Sequence, residues 1–295
     1  MDIGIALPQY GGHARAEWIV PFARQAEEAG FDWLWVGDRA LAPVAPSDLY
    51  PGHTAQDPYP RGFRTFLDPL TVLTAAAGAT SRVRLATSTL NAPWYAPLLL
   101  ARTLTTLDVI SAGRLVAGLG IGWLRDEYTA VNADFTRRGA RLEEILDILR
   151  GYWTEEVFGH EGPHWSIPES YVGLRPARPG GPPVLLGGLS PAAMRRVGRR
   201  ADGWAGVLLP PDMEAGLWDL ARRAAEEAGR DPEALTRHIR HNVRPGTGAG
   251  EIAAVLDGVR ASGADSAFID LQQCVAGPGE ALELGTRALE RLRAG

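Results

Sequence analysis

Residues 97–123 read PLLLARTLTTLDVISAGRLVAGLGIGW, and this stretch holds one complete helix-to-strand unit. Pro97 stands where a helix tolerates a missing N–H, Leu100, Leu104 and Leu107 recur at helical spacing, and Gly113 closes the helix. A short apolar run over 114–119 follows and has the length of a buried strand. It leaves through Gly118-Leu119-Gly120-Ile121-Gly122-Trp123, a glycine-rich exit that lets other backbone or a ligand come close.

The same alternation extends to both sides. Strands are expected at 2–7, 32–37, 83–88, 114–119, 183–187, 204–208, 236–242 and 265–270. Between them lie readable helices. Asp68-Pro69 gives an N-cap and a proline at the first turn, with Leu70, Leu73 and Ala77 on one face. Leu142, Ile145, Leu149 and Trp153 make a second stripe, and Ser190-Pro191 caps a helix carrying Met194, Val197 and Ala201. Eight strands alternating with helices predict an α/β fold, a single (β/α)₈ TIM barrel spanning 1–295.

Two connections are too long for plain loops, 39–67 after the second strand and 123–182 after the fourth. Insertions at the C-terminal ends of barrel strands are where substrate pockets are built. The aromatics Tyr50, Tyr59, Phe63, Phe66, Trp165 and Tyr171 predict that segments 39–67 and 158–172 form a largely apolar lid.

Composition removes several classes of function. With 45% hydrophobic and 22% charged residues the chain is ordinary globular protein. Its apolar runs fall far short of the ~18 residues of a spanning helix, so no membrane is expected. Met1 leads at once into the strand-like residues 2–7, so no signal peptide is expected either. One cysteine, Cys274, excludes an internal disulfide and suits a cytoplasmic protein. A net charge of −5 without a basic tract argues against nucleic acid. All 30 cationic residues are arginine, which excludes Schiff-base chemistry, pyridoxal-phosphate attachment and a P-loop.

No metal is expected. His238 and His241 lie three apart on a strand and point to opposite faces, and Gly162-Pro163 breaks the helix that His160 and His164 would need to share an ion. Gly188-Leu189-Ser190-Pro191-Ala192 is a poor nucleophile elbow, because proline after the serine removes an oxyanion-hole N–H. Gly118 to Trp123 is no Rossmann fingerprint, since Trp123 occupies the sixth position. Gly187-Gly188-Leu189-Ser190-Pro191 is the strongest local signal. Paired glycines hand over to a capped helix, in the form of a phosphate site or of an ordinary βα turn. Asp38 and Arg39 end the second strand at the same face, as functional charges or as a solvated pair.

In order and spacing these motifs resemble the luciferase-like monooxygenase superfamily, and within it the coenzyme F420-dependent oxidoreductases. The resemblance is carried by Ile3-Gly4-Ile5-Ala6-Leu7-Pro8, Ala29 to Asp38, Arg82 to Leu90, Leu107 to Leu115, Gly120-Ile121-Gly122-Trp123-Leu124, Gly187 to Pro191 and Ala201-Asp202-Gly203-Trp204. It implies a deazaflavin ring near Asp38, a bulge behind the ring at Ser88-Thr89 with a non-prolyl cis peptide, and cofactor contacts from Gly122, Asp126, Gly187, Gly188 and Ser190. Several members have histidine after the aspartate as a proton-transfer group. This chain has Arg39, which cannot act as a general base near neutrality. Asp38 and Arg39 are the catalytic candidates, with Arg39 either stabilising developing negative charge or pairing with Asp38 or Glu127 to order the loop.

The implied activity is hydride transfer between coenzyme F420 and a small organic substrate. The alternatives are an FMNH₂-dependent monooxygenase supplied by a separate flavin reductase, and a non-catalytic flavin-binding relative. A homodimer is expected.

Overall fold

A computed structural model of the chain describes residues 1–294. In chain order the elements are β1 (Asp2–Ala6), α1 (Ala16–Ala29), β2 (Trp33–Val36), α2 (Pro69–Ala79), β3 (Arg84–Thr87), β4 (Leu90–Asn91), α3 (Pro97–Ile110) and β5 (Leu115–Gly120). They continue as α4 (Arg125–Ala130), α5 (Arg138–Thr154), β6 (Val157–Glu161), β7 (Ser166–Tyr171), β8 (Val184–Gly187) and α6 (Pro191–Arg200). The chain ends with β9 (Gly203–Val207), α7 (Pro211–Glu227), β10 (Thr236–Asn242), α8 (Ala249–Ala261), β11 (Ser266–Asp270) and α9 (Pro278–Ala294).

Eight of these strands close a parallel barrel in the order β1-β2-β3-β5-β8-β9-β10-β11, and β11 returns to β1 through the register Asp2↔Ser266 to Ile5↔Ile269. All eight expected strands are there, within a residue or two at each end. β4 is an addition. It lies parallel to the end of β5, Leu90 opposite Leu119 and Asn91 opposite Gly120. The 123–182 insertion holds two helices, α4 and α5, and an antiparallel hairpin, β6–β7. The helix α4, with only six residues, is too short to leave a periodic signal, and the hairpin strands are mostly exposed and so lack the apolar alternation that marks the barrel strands.

Alternation along the strands divides the core in two. Ile3, Ile5, Leu34, Val36, Leu115, Ala117, Leu119, Leu186, Ile239 and Ile269 belong to the layer between barrel and helices. Trp33, Trp35, Ala86, Val116, Leu185, Ala205 and Phe268 fill the interior. Two tryptophans on one strand demand space from the next. Gly4 supplies it, since a Cβ there would stand 2.7 Å from Trp35 Nε1 and 2.9 Å from Trp33 Cβ. His238 completes this layer, edge-on to Trp33, and burial pushes its imidazole down to about 4, so it is neutral packing.

The interior of β5 serves a different purpose. Gly118 lets the Thr87 carbonyl pass where a Cβ would collide with it, and Thr87 Oγ1 donates to Gly118 O at 2.6 Å. This close approach bends the chain after β3 into the barrel mouth. Gly118→Ala sets a methyl against backbone that cannot step aside, so we expect a loss of about 3 kcal/mol in urea unfolding, the upper end for overpacking.

Candidate active site

The site is built where β2, β3 and β5 end. Asp38 follows β2 directly, and its Oδ2 accepts from Asn91 N at 2.9 Å and from the Tyr95 hydroxyl at 3.1 Å. Asn91 Nδ2 donates to the Asp38 carbonyl at 3.3 Å. Oδ1 has no protein partner among the described residues, so it is the oxygen left for the cavity that Asp38 lines. Burial raises the Asp38 carboxyl to about 6, against the pull of the Asn91 and Tyr95 hydrogen bonds, while Asp68 pushes it up and Arg39 draws it down.

The cavity has a volume of about 170 Å³. Tyr10, Tyr50, Phe63, Phe66 and Trp123 form its aromatic wall, and Asp38, Ser88, Thr89, Asn91 and Arg240 its polar side. Tyr10 stacks on Phe66 with ring centroids 5.1 Å apart, and Tyr50 stands edge-on to both Phe63 and Trp123. Three of these rings come from the 39–67 insertion. Gln9, fully buried at the end of β1, pins both feet of that insertion: its amide exchanges hydrogen bonds with Gly37 and donates to Leu67 O at 2.8 Å.

Arg39 turns away from Asp38. Its Nη1 donates to Glu127 Oε2 at 3.0 Å, and its guanidinium lies over the Phe63 and Trp123 rings at 4.9 and 4.8 Å. Glu127 Oε1 accepts from Ala40 N at 2.9 Å. Burial raises this carboxyl to about 7, opposed by Arg39. Asp126 is occupied in the same way, accepting from Ser47 N and Ser47 Oγ, and Arg125 N donates to Asp48. Three consecutive residues at the start of α4 therefore clasp the insertion.

Arg240, Asp270, Tyr10 and Tyr95, besides Gln9 and Asn91, are site groups that the sequence does not single out. Arg240 donates through Nη1 to Ser88 O and through Nη2 to Asp270, which also accepts from the Tyr10 hydroxyl. Tyr95 holds Asp38. Period-2 counting offers a signal for two of them: Arg240 and Asp270 stand two residues beyond the inward-facing His238 and Phe268. Nothing local marks Tyr10 or Tyr95.

The Ser88–Thr89 peptide bond is cis, as the resemblance implied. Thr89 lies against Gly120 and Gly187, where a Cβ at Gly187 would stand 2.9 Å from Thr89 Cγ2. Gly122 and Gly188 have φ of +64° and +134°, conformations that suit glycine. Ser190 caps α6 by accepting from Ala193 N at 3.2 Å. Gly187, Gly188, Ser190, Gly122 and Asp126 do not line the cavity, which Asp38, Arg39, Ser88 and Thr89 share.

The hairpin does not roof this cavity. Buried Glu144 on α5 draws it aside, accepting from His160 Nε2, His164 Nδ1, His164 N and Trp165 N. Trp165 packs under Arg141, and Tyr171 is exposed. Among the described residues no group of three or more His, Cys, Asp or Glu is arranged to hold a metal, and no helix is long and apolar enough to cross a membrane.

A family model described as luciferase-like monooxygenase matches residues 2–291. The chain belongs to this family. An uncharacterized protein of Mycobacterium tuberculosis is 33% identical over 217 residues, 72% of each chain. Among solved structures, an F420-dependent secondary alcohol dehydrogenase in complex with an F420-acetone adduct superposes with a TM-score of 0.77 at 17% identity, over 99% of both chains. The oxygenating constituent of 3,6-diketocamphane monooxygenase from Pseudomonas putida, in complex with FMN, gives 0.66 at 20%, over 88% of this chain and 71% of that one. These two likenesses show the barrel. The family is one of oxidoreductases and monooxygenases.

The site residues fit a flavin-type ring. Trp123 Nε1 and Arg240 Nε are buried donors without a protein partner, on two side chains that line the cavity, and a ring with carbonyl groups would offer them acceptors. The sign of the Asp38 shift gives a stability test. A carboxyl raised to about 6 in the fold and ionising lower in the unfolded chain removes stability as pH climbs from about 4 through 6. Asp38→Asn keeps an acceptor for Asn91 and Tyr95, so it should raise Tm by a few degrees at pH 7.5 and leave it unchanged at pH 4 by calorimetry.

Proposed function

We propose that this chain is a coenzyme F420-dependent oxidoreductase that exchanges a hydride with a small organic substrate. The observation that carries the reading is Asp38, with one oxygen fixed by two donors and the other left for the cavity at a proton affinity near neutrality. Hydride transfer to a carbonyl needs a proton delivered to oxygen, and a positioned acid of this kind supplies it. Asp38 then takes the place of the histidine that other members carry one residue later.

Bound deazaflavin supplies the hydride. The chain's own groups do the rest. Ser88 and Thr89 give the ring a seat, with Trp123 Nε1 and Arg240 Nε as donors to its polar edge, and Gly187, Gly188 and Ser190 offer backbone and a helix N-terminus to the cofactor phosphate. Tyr95 and Asn91 orient Asp38. Arg39 is a positioning residue: paired with Glu127, it fixes the aromatic wall against which substrate lies.

The second reading is an FMNH₂-dependent monooxygenase fed by a separate reductase, favoured by the likeness to the FMN-bound camphane enzyme. Titration of the full chain with F420 and with FMN, each oxidised and reduced, decides between them. We expect F420 to bind at least about tenfold tighter. Tighter FMNH₂ binding with oxygen uptake would establish the monooxygenase instead.

A second test addresses Asp38. With F420 as the bound cofactor, Asp38→Asn should lower kcat about 10²-fold or more. Tyr95→Phe removes a hydrogen bond that favours the ionised carboxylate, and should move the limb of the rate profile near pH 6 to higher pH. An unmoved limb would detach Asp38 from the proton step.

A further inference from the structure

We propose that the cavity beside Asp38 selects small uncharged organic molecules and rejects carboxylates and phosphates, because both arginines that border it are neutralised in advance. The inference takes from the reading above only that substrate occupies this cavity.

Arg39 and Arg240 are the two cations on its wall. Arg39 is paired with Glu127 at 3.0 Å, with the two side chains 8% and 0% exposed. Phe63 and Trp123 cover the guanidinium. Arg240 is paired with Asp270, a side chain only 3% exposed, and spends a second donor on Ser88 O. An incoming anion therefore meets no cation whose charge is free. It meets instead the unbalanced carboxyl of Asp38, with Asp68 adding to the negative field there. A charge leaving water for such a cavity keeps its desolvation penalty without a counter-charge.

The pairing of both arginines leaves the wall without a free positive charge, so the discrimination acts on anions. An uncharged carbonyl or hydroxyl needs only one hydrogen-bonding group. Asp38 Oδ1 serves a hydroxyl as acceptor and, protonated, a carbonyl as donor. The rings of Tyr50, Phe63 and Trp123 offer apolar contact to the rest of the molecule. Glu127 and Asp270 are on this argument the specificity-determining residues, although neither is required to touch the substrate.

The test compares benzyl alcohol, benzoate and benzylammonium, one skeleton with three charges, by isothermal titration calorimetry at pH 7.5 on the full chain with and without F420. Benzyl alcohol should bind at least about tenfold tighter than benzoate, with benzylammonium as the control for a charge of the other sign. Glu127→Gln frees the charge of Arg39 and should bring benzoate to within about threefold of benzyl alcohol or beyond it. Circular dichroism establishes that the variant is folded, and Asp270→Asn asks the same of Arg240 if it is not.

Equal or tighter binding of benzoate to the native chain would overturn the proposal. So would an unchanged preference in the folded variants, or binding of none of the three probes. Turnover is not read, so the two ideas fail separately. A chain that ignores F420 yet prefers benzyl alcohol defeats the cofactor assignment alone.

Discussion

Glu127 is fully buried, and its two oxygens take Arg39 Nη1 and the N–H groups of Ala40 and Leu41. The roof of the site depends on this carboxylate. It converts the first residues of a proline- and glycine-rich insertion into a fixed wall, with Arg39 as the rivet between Phe63 and Trp123. Guanidinium suits the position because it is planar and keeps its charge while stacked between rings. Such a buried pair adds little net stability over an apolar one, but removal of either partner strands a charge. Its effect is to make one arrangement of the loop far better than the rest.

Beneath the wall, the barrel mouth is shaped by absent side chains. Gly118 and Gly120 on β5 and Gly187 on β8 are the inward positions that Thr87 and Thr89 occupy from the neighbouring strand end. The chain between β3 and β4 can then fold across the mouth, placing Ser88 O over Arg240 and Asn91 N on Asp38. Lower in the barrel the same alternation is filled by Trp33, Trp35 and Phe268. Large side chains close the bottom of the interior and glycines open its top. That gradient separates a packed core from a site within one set of eight strands.

Much of this is written in local pattern. Period-2 and period-3.6 hydrophobicity depend on which side of a strand or helix is buried, so the barrel strands and the helices α2, α3, α5 and α6 could be read from apolar spacing, proline and glycine alone. Capping is equally local, and Ser190 and Asp68 cap α6 and α2 as their sequence contexts indicate. Asp38 and Arg39 were legible as charges at a strand end, and the long 39–67 connection as a wall of the pocket.

Partners were not legible, because they are set by contacts between segments far apart in sequence. Arg39 was open between Asp38, Glu127 and a free charge, and 88 residues separate it from the carboxylate it binds. The hairpin at 157–171 carries the same aromatic composition as the true wall, but Glu144 holds it against α5 through contacts 16 to 21 residues distant. Arg240, Asp270, Tyr10 and Tyr95 converge on the mouth from four different strand ends and loops. The sequence by itself determined the eight barrel strands, several of the helices between them and which end of the barrel carries the long connections, because those follow from local burial patterns. Only the tertiary structure decided which charges are spent on one another and which carboxyl is left facing the cavity, because pairing depends on closure of the barrel.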